Sequence, residues 1–100
     1  MCSMSKGDAM RMTSLESMIQ SSIIIYAESR GWLSAKITSP SMRGMPDLVA
    51  VRAGRTVWIE VKREGEEARR QQQRRAIEMR EHGAEVFEVD SLFEAREILK

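Results

Sequence analysis

Asp47, Glu60 and Lys62 are the residues of this 100-residue chain whose types and spacing could do chemistry. Glu60 and Lys62 stand two apart in Thr56-Val57-Trp58-Ile59-Glu60-Val61-Lys62, a stretch otherwise made of strand formers. Alternate side chains of a strand share a face, so a carboxylate and an ammonium lie side by side there. Glu and Lys are among the residues least often fully buried, and the strand around them reads as buried. Asp47 follows Pro46, thirteen residues before Glu60.

A hairpin relates the two acids. Residues 47–51, Asp-Leu-Val-Ala-Val, read as one strand and 56–62 as the next, joined by a tight turn around Gly54. A turn centred between Ala53 and Gly54 sets Asp47 opposite Glu60, Val49 opposite Trp58 and Val51 opposite Thr56. Opposed residues have Cβ atoms roughly 4.5–5.5 Å apart, and two carboxylates so placed repel. A cation between them reverses the sign, and hard carboxylate oxygens suit Mg²⁺ or Mn²⁺. Lys62, on the face of Glu60, is then within reach of a water or phosphate, where it can orient a nucleophile and offset developing negative charge. The plainer alternative is a Glu-Lys pair at a strand end and an Asp that serves the turn after Pro46. A three-residue loop would shift the pairing by one position and separate the acids.

The elements that must hold these residues follow from periodicity. Residues 14–30 read as a helix with Leu15, Met18, Ile19, Ile23 and Tyr26 on one stripe, capped by Thr13 and Glu16 as a capping box and stopped at Gly31. Residues 32–38 alternate as a strand, and 39–46, Ser-Pro-Ser-Met-Arg-Gly-Met-Pro, form a loop. The polar connector from Arg63 leads to a helix over 69–82, with Ala76, Ile77 and Met79 as its apolar side, ended by His82 as cap and Gly83. A strand over 84–89 and a last helix capped by Asp90 or Ser91 complete the order α-β-β-β-α-β-α. A hairpin apolar on both faces, flanked by amphipathic helices, predicts an α/β fold with a mixed sheet covered on both sides.

Composition bounds the function. The chain is 42% hydrophobic and 31% charged, ordinary for a globular protein, and its length predicts one domain over 12–100 with a frayed arm at 1–11. No stretch approaches the ~20 apolar residues of a membrane span. No signal-peptide pattern opens the chain, so we expect a cytoplasmic protein. Cys2 is the only cysteine, which excludes an intrachain disulfide and a cysteine-based zinc site. The single histidine leaves no Ser-His or Cys-His system, and the eight methionines read as core filler. Net charge is only +1, yet nine Lys/Arg against five Glu lie between Arg52 and Arg80. That clustering suits a phosphate backbone, and equally a solvated helix face with i,i+4 ion pairs.

In its ordered motifs the chain resembles the PD-(D/E)xK nucleases, and more narrowly the VRR-NUC family. The residues that carry the likeness are Glu16 on the first helix, Gly44 to Asp47, Ile59 to Lys62, and Gln72 eleven residues before Gly83. The likeness runs from about residue 12 to residue 90 and implies a restriction-endonuclease-like core. It implies that Asp47, Glu60 and the Val61 carbonyl bind the metal, with Glu16 helping to hold metal-bound water. It further implies that Lys62 positions water and that Gln72 contacts the site. Glu16 has the competing local role of helix cap, and Gln71 and Gln73 adjoin Gln72. Gln72 shares a face with Ala76 and Met79, which points it toward the sheet. Ser39, Ser41, Arg43, Arg63, Arg69, Arg70 and Arg74 are candidate DNA contacts, with Arg75 beside them. The expected activity is metal-dependent cleavage of branched DNA, such as a Holliday junction, by a homodimer of phage or bacterial origin. A flap or nicking nuclease with the same site, a non-catalytic DNA-binding module and a protein-interaction domain are the alternatives.

Overall fold

The computed structural model describes residues 15–39, 41–62 and 66–100. The elements are α1 (Leu15–Ser29), β1 (Leu33–Lys36), β2 (Leu48–Arg52), β3 (Arg55–Val61), α2 (Glu66–Glu81), β4 (Glu85–Val89) and α3 (Leu92–Ile98). The sequence order of elements is the expected one. The sheet runs β1-β2-β3-β4, antiparallel across the first two pairs and parallel between β3 and β4. The arm at 1–11, the Thr13 cap and Arg63 lie outside the described residues. Among the described residues no helix is long and apolar enough to cross a membrane.

One face of the sheet carries the core. Leu48, Ala50, Val57, Ile59, Val61 and Val89 pack with Ile23 and Ala27 of α1 and Ala95 and Leu99 near α3. Alternation then turns Val49, Trp58, Glu60 and Val86 to the opposite face, where α2 lies with Gln72 and Ala76 buried. Trp32 is buried beside α1, and its Nε1–H donates to the Leu99 carbonyl at 3.0 Å. Arg52 stacks over the Trp32 ring at 4.4 Å and donates to the carbonyls of Arg30 and Lys100. One guanidinium thus joins the end of α1, the end of β2 and the tail after α3.

Both long helices stop at glycines of positive φ. After α1, Gly31 N–H donates to Glu28 O and Trp32 N–H to Ala27 O; after α2, Gly83 N–H donates to Arg80 O and Ala84 N–H to Met79 O. These bonds satisfy the last carbonyls as Schellman motifs. His82 Nδ1 lies 2.8 Å from Glu78 O, in keeping with a terminal cap. Ser91 is the N-cap of α3, accepting from Glu94 N–H.

Three expectations need correction. The helix over 69–82 begins earlier, at Glu66, because Glu and Ala favour helix although the connector carries no apolar stripe. The inward stripe of α1 is rotated: Gln20, Ile23 and Ala27 are buried, whereas Leu15 and Met18 are exposed. Among the described residues no methionine is buried, so none of the described methionines serves as the expected core filler. The small residues Ala27, Ala50 and Ala95 leave room for branched Ile and Val instead.

Candidate active site

The hairpin turn sets the geometry. Ala53 and Gly54 both have positive φ, 51° and 81°, the signature of a two-residue type I′ turn. The register pairs Leu48 with Ile59, Val49 with Trp58 and Val51 with Thr56, as the sequence predicts. Continued by one residue, it sets Asp47 opposite Glu60. Asp47 is only 9% exposed and Glu60 4%.

Asp47 also closes the end of the sheet. β2 begins at Leu48, so no β2 residue pairs with Val61. The Val61 N–H donates instead to Asp47 Oδ2 at 2.7 Å. The Asp47 main-chain carbonyl accepts from Ile37 N–H at 2.8 Å, extending the β1–β2 ladder past its last pair. Pro46, which has no N–H to satisfy, is fully buried just before it. In an extended strand the N–H and C=O of one residue point to the same side. The Val61 carbonyl therefore faces the side on which Asp47 stands. On the other side, Lys62 N–H continues the parallel ladder to Val89 O at 2.7 Å.

A close backbone approach brings Gln72 into the cleft that Asp47 lines. Gly44 has φ +79°, and a Cβ there would lie 2.5 Å from the Gln71 carbonyl oxygen. Only glycine lets the loop before Asp47 touch α2 in this way. Arg75 fastens the contact by donating from Nε to the Arg43 carbonyl at 3.1 Å while pairing with Glu78. At the far end of α2, Arg80 donates to Val86 O, so the helix is pinned to both loop and sheet. Gln72 is consequently 5% exposed, while Gln73 is exposed.

Asp47 lines two clefts. One, of about 400 Å³, places it with Gln72, Ser39 and Arg43. The other, of about 330 Å³, places it with Glu16, Gln20 and Lys36. Glu60 lines a third groove of about 320 Å³, between β3, β4 and α2, which Glu88 and Arg80 also line. In the parallel register Glu60 stands beside Glu88. Asp47, Glu60, Glu16 and Gln72 each have non-covalent partners within the fold. Among the described residues no group of three or more His, Cys, Asp or Glu forms a metal centre from side chains alone.

The remaining sequence candidates sort by position. Lys62 is exposed at the end of β3. Glu16 is half-buried in the first turn of α1, at the Asp47 cleft. Arg43 and Arg74 line a small basic recess with Arg75. Arg70 and Ser41 are exposed, and Arg69 is half-buried. Reasoning from the sequence did not count Gln20 or Lys36 among the site residues. Gln20 lies four residues after Glu16, a spacing that puts both on one helix face and so could have flagged it.

No family model matches the chain, and no curated protein does. Among solved structures, a chain described as "VRR_NUC domain" superposes with a TM-score of 0.70 at 25% identity, covering 83% of this chain and 91% of that one. The chain thus shares the fold of a VRR_NUC domain, and the motif order of Asp47, Glu60 and Gln72 agrees with that likeness.

Proposed function

We propose that the protein is a divalent-metal-dependent DNA endonuclease that hydrolyses phosphodiester bonds. The observation that carries this reading is the β2–β3 register, which continued one residue past Leu48 and Ile59 sets Asp47 opposite Glu60, both nearly buried. Opposed carboxylates repel, and burial strengthens the repulsion. The residues fit a hard divalent cation: two carboxylates and the Val61 carbonyl supply oxygen donors, and Glu16 can hold water beside them. A bound Mg²⁺ or Mn²⁺ supplies Lewis-acid polarisation of a phosphate and a more acidic water.

The side chains do the rest. Asp47, tied by Oδ2 to the Val61 amide, holds its carboxylate in one orientation. Lys62, on the face of Glu60, places its ammonium where negative charge grows on the phosphate. Gln72, fixed by the Gly44 contact, orients substrate or water from the other wall. Arg43, Arg70 and Arg74 track the DNA backbone.

Branched DNA such as a four-way junction is the preferred substrate in this reading, cut by a homodimer that presents two sites to two strands. Incubating wild type and Lys62→Ala with labelled junction, flap and linear duplex in Mg²⁺ or Mn²⁺ tests it. We expect junction cleavage by wild type alone. Equal cleavage by both proteins would overturn the assignment, and preference for flaps would move the substrate. Sedimentation equilibrium tests the dimer.

A further inference from the structure

The α1 cleft holds two polar groups that the proposed chemistry does not use. Gln20 is 9% exposed, yet it sits on the inward face of α1, where Ile23 and Ala27 continue into the core. Its side chain lines the cleft beside Asp47. Leu15 and Met18, which packing alone would turn inward, are the exposed side of the same helix. Lys36 ends β1 on the opposite wall. It is exposed and forms no ion pair among the described residues, although Glu16 and Asp47 line the same cleft.

The two clefts meet at Asp47 and Ile37, which line both. A strand crossing Asp47 from the Gln72 side therefore runs on into the Lys36 side. There it meets an ammonium and an amide, both donors, from two different elements. An anion fits those groups, and the anion that accompanies a phosphodiester at Asp47 is the next phosphate of the same strand.

We propose that this cleft binds the DNA phosphate adjacent to the scissile one, held by the Lys36 ammonium and the Gln20 amide. The proposal rests on the nuclease reading for the identity of the strand. Lys36 is a substrate-binding residue here, distinct from Lys62 at the end of β3.

The test separates binding from cleavage. Fluorescence anisotropy of a labelled four-way junction is measured in Ca²⁺ over a salt series with the full chain. Lys36→Ala is expected to weaken binding by roughly fivefold or more and to lower the salt slope by about one. Lys36→Arg is expected to retain most of the affinity. Gln20→Glu, which keeps the shape and adds a charge, is expected to weaken binding more than Gln20→Ala, with thermal melts confirming that both are folded. Cleavage of DNA carrying a single neutral methylphosphonate, walked through the positions flanking the cut, gives the second readout. One neutral position should slow wild type and leave Lys36→Ala unaffected. Wild-type affinity and slope in Lys36→Ala, or equal slowing of both proteins at every position, would overturn the proposal. Failure of wild type to cleave any DNA, with binding still sensitive to Lys36, would sink the nuclease reading and leave the phosphate site standing.

Discussion

Asp47 accepts the Val61 amide at the point where β2 has ended and β3 continues. A side chain thus replaces a missing rung of the sheet. The acidic residue of the candidate site is also a structural member, and its two roles come apart on substitution. Asp47→Ala leaves a buried N–H without its acceptor and should cost about 1–3 kcal/mol in urea denaturation. Asp47→Asn keeps an acceptor oxygen and should cost less, while abolishing cleavage as completely. Cleavage surviving in Asp47→Asn would show that the carboxylate charge is not needed.

Gly44→Ala should be more damaging than its size suggests. The new methyl meets the Gln71 carbonyl, which belongs to a helix backbone and cannot swing aside. The positive φ adds roughly 1–2 kcal/mol of strain. The loop must lift from α2, carrying Asp47 away from Gln72. A lowered melting temperature together with reduced cleavage is the expected outcome. Unchanged melting would show that the loop is not held against the helix.

Gln72 and Gln73 offer an adjacent comparison on one helix. Gln72→Ala removes a buried amide beside Asp47 and should lower kcat by about tenfold or more, in line with the sensitivity of catalysis to positioning. Gln73→Ala alters an exposed side chain and should change stability by no more than about 0.5 kcal/mol. Single-turnover kinetics on both variants checks the difference, and equal effects would mean that burial at residue 72 has no catalytic consequence.

Arg55 and Glu85 make a two-pronged salt bridge between the starts of β3 and β4. The hydrogen bond from Arg55 holds the Glu85 carboxyl below the usual glutamate range. A depressed carboxylate stabilises the fold above the ordinary glutamate range, and the contribution disappears as pH falls through the lowered value. Both groups are exposed, so the effect is small and screened by salt. Melting curves of Glu85→Gln between pH 3 and pH 7 should show a slightly flatter acid limb than wild type at low ionic strength, converging with it at about 1 M salt.

Much of this was legible in the sequence because the hairpin is governed by local chemistry. Ala53-Gly54 limits the turn to two residues, and alternation does the rest, so the opposition of Asp47 and Glu60 follows. Gly31 and Gly83 likewise announce helix ends through their own conformational freedom. The α1 stripe was misread because hydrophobicity alone cannot tell an inward Gln20 from an outward Leu15. Tertiary placement decides that, and here a polar cleft claims the inward turn. The start of α2 was missed for the complementary reason: a helix turn without apolar residues has propensity but no period. Asp47 itself carries a second meaning that no pattern shows. A descendant that lost its chemistry would still benefit from an acceptor for Val61, so Glu60 and Lys62 are the more telling markers of a working site.

The two-residue turn at Ala53 and Gly54 makes the site intolerant of changes in length at a place that looks dispensable. It is an exposed tip, the kind of position usually chosen for a tag, a linker or a grafted peptide. One inserted residue there can slip the strands by one step. Because side chains alternate, that slip would send Glu60 to the wrong face or leave Asp47 facing a hydrophobic neighbour. For anyone engineering this protein, the permissible insertion points are therefore elsewhere, and the outermost loop of the hairpin should be treated as part of the candidate site.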